Sequence, residues 1–135
     1  MSNFFENDYA EYRLLEGIVH VTYKKGVSIN LEAAVEIVND RLRFQEGESY
    51  PVLCNICHVR EVNKSARDYL ANEGSLWISA LAFIIEPPVS EALSRFYLKT
   101  NYSPIQTESF ERITEALEYL KRFLLLLFFI NYFVI

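Results

Sequence analysis

Two mostly apolar segments, residues 50–56 and 78–85, constrain the fold of this chain more than any other feature. Each is as long as a strand, and neither alternates between polar and apolar side chains. A strand with one face in water alternates, whereas a strand covered on both faces reads as a continuous apolar run. We therefore predict two central strands of a parallel sheet with helices on its faces.

The residues before the first apolar segment predict an antiparallel hairpin. Residues 9–15 alternate weakly, Glu16 and Gly17 indicate a turn, and residues 18–23 are rich in β-branched and aromatic side chains. The short connection favours antiparallel pairing of the two strands.

Helix signals follow each later strand. Asn30 and Asn63 are placed to cap the first turns of two helices, and Gly74 is a typical residue just beyond a helix end. The predicted helices are 31–44, 64 to about 73, 89–100 and 110–122, with a short last strand at 104–109. The predicted apolar stripes are Leu31, Val35, Val38 and Leu42 on the first helix, and Ile113, Ala116, Leu117 and Leu120 on the last.

Strands that alternate with helices of 10 to 15 residues are typical of βα units with right-handed crossovers. We predict an α/β fold in which an N-terminal β-hairpin precedes successive βα units, with helices packed against a mostly parallel sheet of four to five strands. One domain, residues 1–122, is followed by an apolar tail, residues 123–135.

Charge and composition exclude several classes. The net charge is −5, and no stripe of Lys and Arg offsets it, so nucleic-acid binding is not expected. The first residues lack the basic and apolar regions of a secretory signal, and the chain has only two cysteines. We expect a cytoplasmic location with both thiols free.

Four segments resemble a family of small uncharacterised bacterial proteins, mainly from Bacteroidetes, that is grouped with STAS-like domains (sulfate transporter and anti-sigma-factor antagonist). These segments are residues 17–26, 31–34, 50–54 and 65–74, and the resemblance covers roughly residues 9–122. It implies a STAS-like fold, a class used for regulated contact between proteins. In the related lipid-transfer branch, this class is used for holding apolar ligands.

The same resemblance implies a candidate regulatory site. Anti-sigma-factor antagonists are phosphorylated on a Ser within an Asp-Ser-Ser-Gly motif at the start of a helix. The matching residues here are Asn63, Lys64, Ser65 and Ala66, so Lys64 occupies the usual acceptor position and only the second Ser is present as Ser65. This departure weakens the match, although a phosphate at a helix N-terminus is electrostatically favourable.

Cys54, Cys57 and His58 spell the C-x-x-C-H pattern of c-type haem attachment. The only Met is Met1, which leaves no axial methionine downstream, and the segment is predicted to end a buried strand rather than to begin a helix. With His20, these residues are also a Cys₂His₂ set in number, which is an alternative metal site. We favour a core cysteine and a strand-end thiol, with no metal and no cofactor.

Signatures of catalysis are missing from the sequence. It contains no G-x-S-x-G element and no glycine-rich phosphate loop, and its carboxylate pairs at helical spacing are typical of a solvated surface. We therefore predict that the protein is not an enzyme.

Residues 123–135, from Phe123 to Ile135, carry no charge. As a helix of ~1.5 Å per residue they span roughly 20 Å, less than the ~30 Å of a bilayer core. Packing onto the domain or in a homodimer is the first interpretation, peripheral membrane or lipid contact the second, and an artefact of the reading frame the third. The function that we favour is a non-catalytic regulatory or protein-interaction domain with an unknown protein partner. The alternative is a small apolar-ligand or lipid-binding module.

Overall fold

Eight strands and four helices follow one another in the part of the chain that the computed structural model describes, residues 2–100 and 105–134. The strands are β1 (Phe4–Glu6), β2 (Ala10–Leu15), β3 (Ile18–Tyr23), β4 (Ser28–Ile29), β5 (Tyr50–Asn55), β6 (Glu61–Val62), β7 (Ile78–Ile84) and β8 (Gln106–Phe110). The helices are α1 (Leu31–Gln45), α2 (Lys64–Asn72), α3 (Val89–Thr100) and α4 (Ile113–Val134).

Six of the strands form one mixed sheet in the order β1-β2-β3-β5-β7-β8. The pairs β1–β2 and β2–β3 are antiparallel, and the pairs β3–β5, β5–β7 and β7–β8 are parallel. The predicted α/β class, the hairpin and the central parallel strands are therefore confirmed. The sheet has one strand more than predicted, because β1 is only three residues long and too short to show a periodicity.

Asparagine caps start the two helices, α1 and α2, for which a cap was predicted. The side-chain oxygens of Asn30 and Asn63 accept hydrogen bonds from the backbone amides of Ala33 and Ala66, each at 2.9 Å. Gly74 does not have the predicted role, because α2 stops at Asn72 and continues as a 3₁₀ turn over Glu73–Ser75 that contains this glycine.

Two apolar cores lie on opposite faces of the sheet. Helices α1, α2 and α3 pack on one face over β2, β3, β5 and β7, and α4 covers the other face. The predicted stripe of α1 is wrong in part: Leu31 is 44% exposed, and the buried side chains are Ala33, Ala34, Ile37, Val38, Arg41, Phe44 and Gln45. Two of these are polar residues with internal partners, which a count of apolar residues misses.

Helix α4 begins at Ile113, since Phe110 belongs to β8, and Ile113 is 49% exposed rather than part of the buried stripe. The helix continues through Arg122, and Phe123 and Leu124 pack against the second core. The division at residue 122 stays a prediction, and the side chains after Leu124 lie outside the described residues. Among the described residues, no helix has both the length and the apolar character that crossing a membrane requires.

Candidate functional site

An apolar cavity of about 110 Å³ lies between the sheet and helices α1, α2 and α3. Its floor consists of side chains of β3, β5 and β7, namely Val21, Tyr23, Val52, Cys54, Leu81 and Phe83. An apolar cavity of about 150 Å³ in another protein stays dry and binds benzene, so this cavity has the size of a small ring or a short carbon chain.

The walls that α2 and α3 contribute reach the surface. Arg67 and Leu70 from α2, and Leu93 and Phe96 from α3, line the cavity and are each half-buried. The more exposed part of the lining therefore lies mostly on these two helices.

Arg41 lines the same cavity from α1, although only 5% of it is exposed. Nη1 donates to Oε1 of Gln45, and Nη2 donates to the carbonyls of Gly74 at 3.0 Å and Leu76 at 2.9 Å. Burial lowers the pKa of Arg41, an effect that the nearby Tyr23 side chain opposes. No carboxylate of the described residues pairs with Arg41, and its terminal nitrogens donate to carbonyl oxygens instead.

Gln45 completes this polar cluster. It is fully buried, and Nε2 donates to the carbonyls of Glu48 and Trp77, both at 2.9 Å. Arg41 and Gln45 together therefore bind three carbonyls of the segment 74–77, which we call the 74–77 turn.

The 74–77 turn holds two large apolar side chains at the surface. Leu76 is 51% exposed and Trp77 is 37% exposed. Trp77 has a φ of 60°, in the left-handed region that a bulky residue rarely adopts. Together with Leu42, Tyr69 and Ile105, these residues line an open depression that we call the Trp77 patch.

Arg67 differs from Arg41 in its donors. Nη1 donates to the carbonyl of Val62 at 2.8 Å, and the guanidinium carbon lies 4.6 Å from the centre of the Phe96 ring. Nε is buried and has no hydrogen-bond partner among the described residues.

The residues of the C-x-x-C-H pattern do not converge. Cys54 lies in the first core, where burial raises its pKa to about 12, and Cys57 packs against the second core on the other side of the sheet. His58 is exposed, and His20 is half-buried on β3 with a pKa lowered by burial. Within the described ranges, no three His, Cys, Asp or Glu side chains are placed to hold a metal ion.

The candidate regulatory residues lie at the start of α2. Asn63 caps the helix, Lys64 pairs with Asp68 at 3.1 Å, and Ser65 is exposed in the first turn. This first turn contains no acidic residue.

Sequence reasoning missed Arg41, Gln45 and Trp77. Arg41 and Gln45 follow Ile37 at four-residue intervals, a spacing that places all three on one helix face. Trp77 is the only tryptophan of the chain. Its exposure depends on the left-handed backbone of the turn, which no local sequence pattern predicts.

Comparisons with known proteins identify the fold. The model of a family described as a domain of unknown function (DUF7793) matches residues 12–124, and no curated protein matches the sequence. A crystal structure of an uncharacterized DUF3478-family protein with a SpoIIAA-like fold, from Shewanella loihica PV-4, is similar with a TM-score of 0.56. The two are 14% identical, and the alignment covers 87% of this chain and 90% of that one. At this identity, the likeness shows the SpoIIAA-like, and thus STAS-like, fold alone.

Proposed function

Since the chain belongs to the DUF7793 family and has a SpoIIAA-like fold, we propose that it is a non-catalytic regulatory or protein-interaction domain of STAS-like type. The observation that supports this proposal most is the Trp77 patch. Trp77 is held at the surface on a left-handed backbone, although burying such a ring would stabilise the fold. The exposure of Trp77 therefore favours a role in binding a partner over a role in stabilising the domain.

The patch has the composition of an interaction hot spot. Trp and Tyr are enriched among the residues whose truncation weakens protein complexes most, and Trp77 and Tyr69 both line this depression. The buried donors of Arg41 and Gln45 fix the backbone of the 74–77 turn, so the ring is presented without a large loss of loop entropy. We therefore assign the partner-binding surface to the Trp77 patch.

Affinity capture from native cells tests this function, with the full chain as bait. The wild type should retain a protein partner in stoichiometric amount. Trp77→Ala should weaken the affinity for this partner at least about 30-fold, which is the effect of a hot spot worth about 2 kcal/mol. Val89→Ala is the matched control, because Val89 is 52% exposed and lies outside the patch. Equal retention by Trp77→Ala and Val89→Ala would contradict the assignment.

The regulatory part of the proposal concerns Ser65. A phosphate there would meet the backbone amides of a helix start that has no acidic side chain of its own. Asn63 and Lys64 precede the site, and the Lys64 ammonium pairs with Asp68 at 3.1 Å. Intact-mass analysis and peptide fragmentation of the protein from native cells test this part: one phosphate located on Ser65 supports it, and no modification of Ser65 under any growth condition contradicts it.

The second candidate function is an apolar-ligand module, which the cavity favours. Its lining is mostly apolar, and half-buried side chains of α2 and α3 form part of it. A titration with toluene followed by amide chemical shifts tests it. Shifts clustered on residues such as Val52 and Leu81 support binding in the cavity, whereas shifts at none of the lining residues contradict it.

A further inference from the structure

We propose that the cavity binds a small apolar carboxylate, with the carbon skeleton in the cavity and the carboxylate on Arg67. This inference rests on the second candidate function and adds the chemical class of the ligand. Three observations carry it: the unpartnered Nε of Arg67, the charge of the lining, and the volume.

The guanidinium of Arg67 is fixed but not satisfied. Val62 accepts from Nη1, and the ring of Phe96 covers one face of the group. Only Nη1 donates to a described residue, and Nε is buried without a partner. A buried donor without an acceptor is destabilising, and the edge formed by Nε and Nη2 is the pair of parallel N–H groups that binds a carboxylate through two hydrogen bonds. An oxygen ligand at this edge would remove the penalty.

The lining carries positive charge without an acid. Arg41 and Arg67 both line the cavity, and among the described residues no Asp or Glu does. Apolar walls reduce the screening of such charges, so an anion is favoured over a neutral or cationic ligand. The terminal nitrogens of Arg41 already donate to Gln45 and to two carbonyls of the 74–77 turn, so Arg41 supplies positive potential while Arg67 supplies the hydrogen bonds.

The volume limits the carbon skeleton. At about 110 Å³, the cavity is smaller than the ~150 Å³ site that accommodates benzene in another protein. It therefore takes about five or six carbons rather than a long acyl chain. Because Arg67 is half-buried and the floor of the cavity is apolar, we place the carboxylate at Arg67 and the attached carbons against the floor. Hexanoate and benzoate represent this class.

Isothermal titration of the full chain with matched probe pairs tests the inference. Hexanoate and benzoate should bind at least 10-fold more tightly than the neutral hexanamide and benzamide. Arg67→Met should abolish this preference, and Arg67→Lys, which keeps the charge but loses the paired donors, should reduce it. Arg60→Met is the control, because Arg60 is exposed and does not line the cavity; its preference should equal that of the wild type.

A second variant covers the case in which the Arg67 substitutions disturb folding. Leu70→Trp enlarges a half-buried side chain of the lining and should weaken both carboxylates and amides at least 10-fold. Equal binding of acids and amides to the wild type would overturn the carboxylate assignment and leave the apolar-ligand function standing. Palmitate binding more tightly than hexanoate would overturn the size assignment. Absence of binding by both carboxylates, both amides and toluene would overturn the inference and the second candidate function together.

Discussion

At the scale of single residues, the buried guanidinium of Arg41 helps to fix the backbone of the exposed Trp77 patch. Arg41 and Gln45 lie inside the first core, yet their donors bind the backbone from which Leu76 and Trp77 project. The left-handed conformation of Trp77 persists because these buried hydrogen bonds over-determine it. The exposed patch is therefore a consequence of a polar cluster in the core.

Replacing Arg41 tests this dependence. Arg41→Met leaves the carbonyls of Gly74 and Leu76 without the donors that they now have. We expect the free energy of unfolding to fall by about 2 kcal/mol or more, as measured by urea denaturation. The control Arg43→Met, at an exposed position of the same helix, should stay within about 0.5 kcal/mol of the wild type. A loss no larger than that of the control would show that the cluster does not hold the turn.

The thiol of Cys54 makes stability depend on alkaline pH. Burial raises its pKa from 9.0 to about 12, so the folded state holds this proton more tightly than the unfolded chain. The resulting stabilisation is fully present below about pH 9 and decreases as the pH rises toward 12. Urea unfolding at pH 8, 9, 10 and 11 should therefore show that the stability difference between wild type and Cys54→Ala shrinks above pH 9. A difference that stays constant over this range would contradict a protonated buried thiol.

At the scale of elements, the sequence predicted most of what local chemistry controls. The caps at Asn30 and Asn63 and the apolar run of β5 each carry their own signal, and the structure has them where the pattern indicates. The buried face of α1 could not be derived in this way, because the partners of Arg41 are 33 and 35 residues away in sequence. The cavity could not be predicted either, since it depends on how three helices pack on one sheet face.

The first turn of α2 yields a test of helix electrostatics. It contains no acidic residue, and Ser65 is exposed there. Ser65→Glu should raise the free energy of unfolding by about 0.3–1 kcal/mol, because a negative charge is stabilised by the N-terminal end of the helix dipole. Ser49→Glu, at an exposed loop position, serves as the control. A destabilising effect of Ser65→Glu would argue against an anion at this position and hence against the phosphorylation proposal.

The end of α4 provides a second test at this scale. The centre of the Phe123 ring lies 5.3 Å from that of the Tyr119 ring. Leu124 lies against Gly17, so that a Cβ atom added at Gly17 would be 3.2 Å from a methyl carbon of Leu124. A chain that ends at Arg122 loses both contacts, whereas one that ends at Leu124 keeps them. We expect the shorter chain to be less stable by about 2 kcal/mol in thermal or urea unfolding. Equal stability of the two chains would place the boundary of the domain at residue 122.

At the scale of the whole molecule, the two faces of the sheet are covered differently. One face is closed by the single helix α4, and the other carries three helices that leave a cavity. Arg41 joins the two features of this second face, because it lines the cavity and also binds the 74–77 turn beneath the Trp77 patch. The sequence predicted the layers and the order of the strands along the chain. It did not predict that the cavity and the Trp77 patch lie next to each other, because this depends on the assembled fold.

If the domain binds a protein through the Trp77 patch, site-specific photo-cross-linking in native cells should capture that protein. A photoreactive phenylalanine analogue replaces Leu76 in one full-length chain and Val89 in another, because these side chains are 51% and 52% exposed. We predict one covalent adduct of defined mass from position 76, its loss when Trp77→Ala is added, and no adduct from position 89. Identical adducts from both positions, or none from position 76, would contradict the claim.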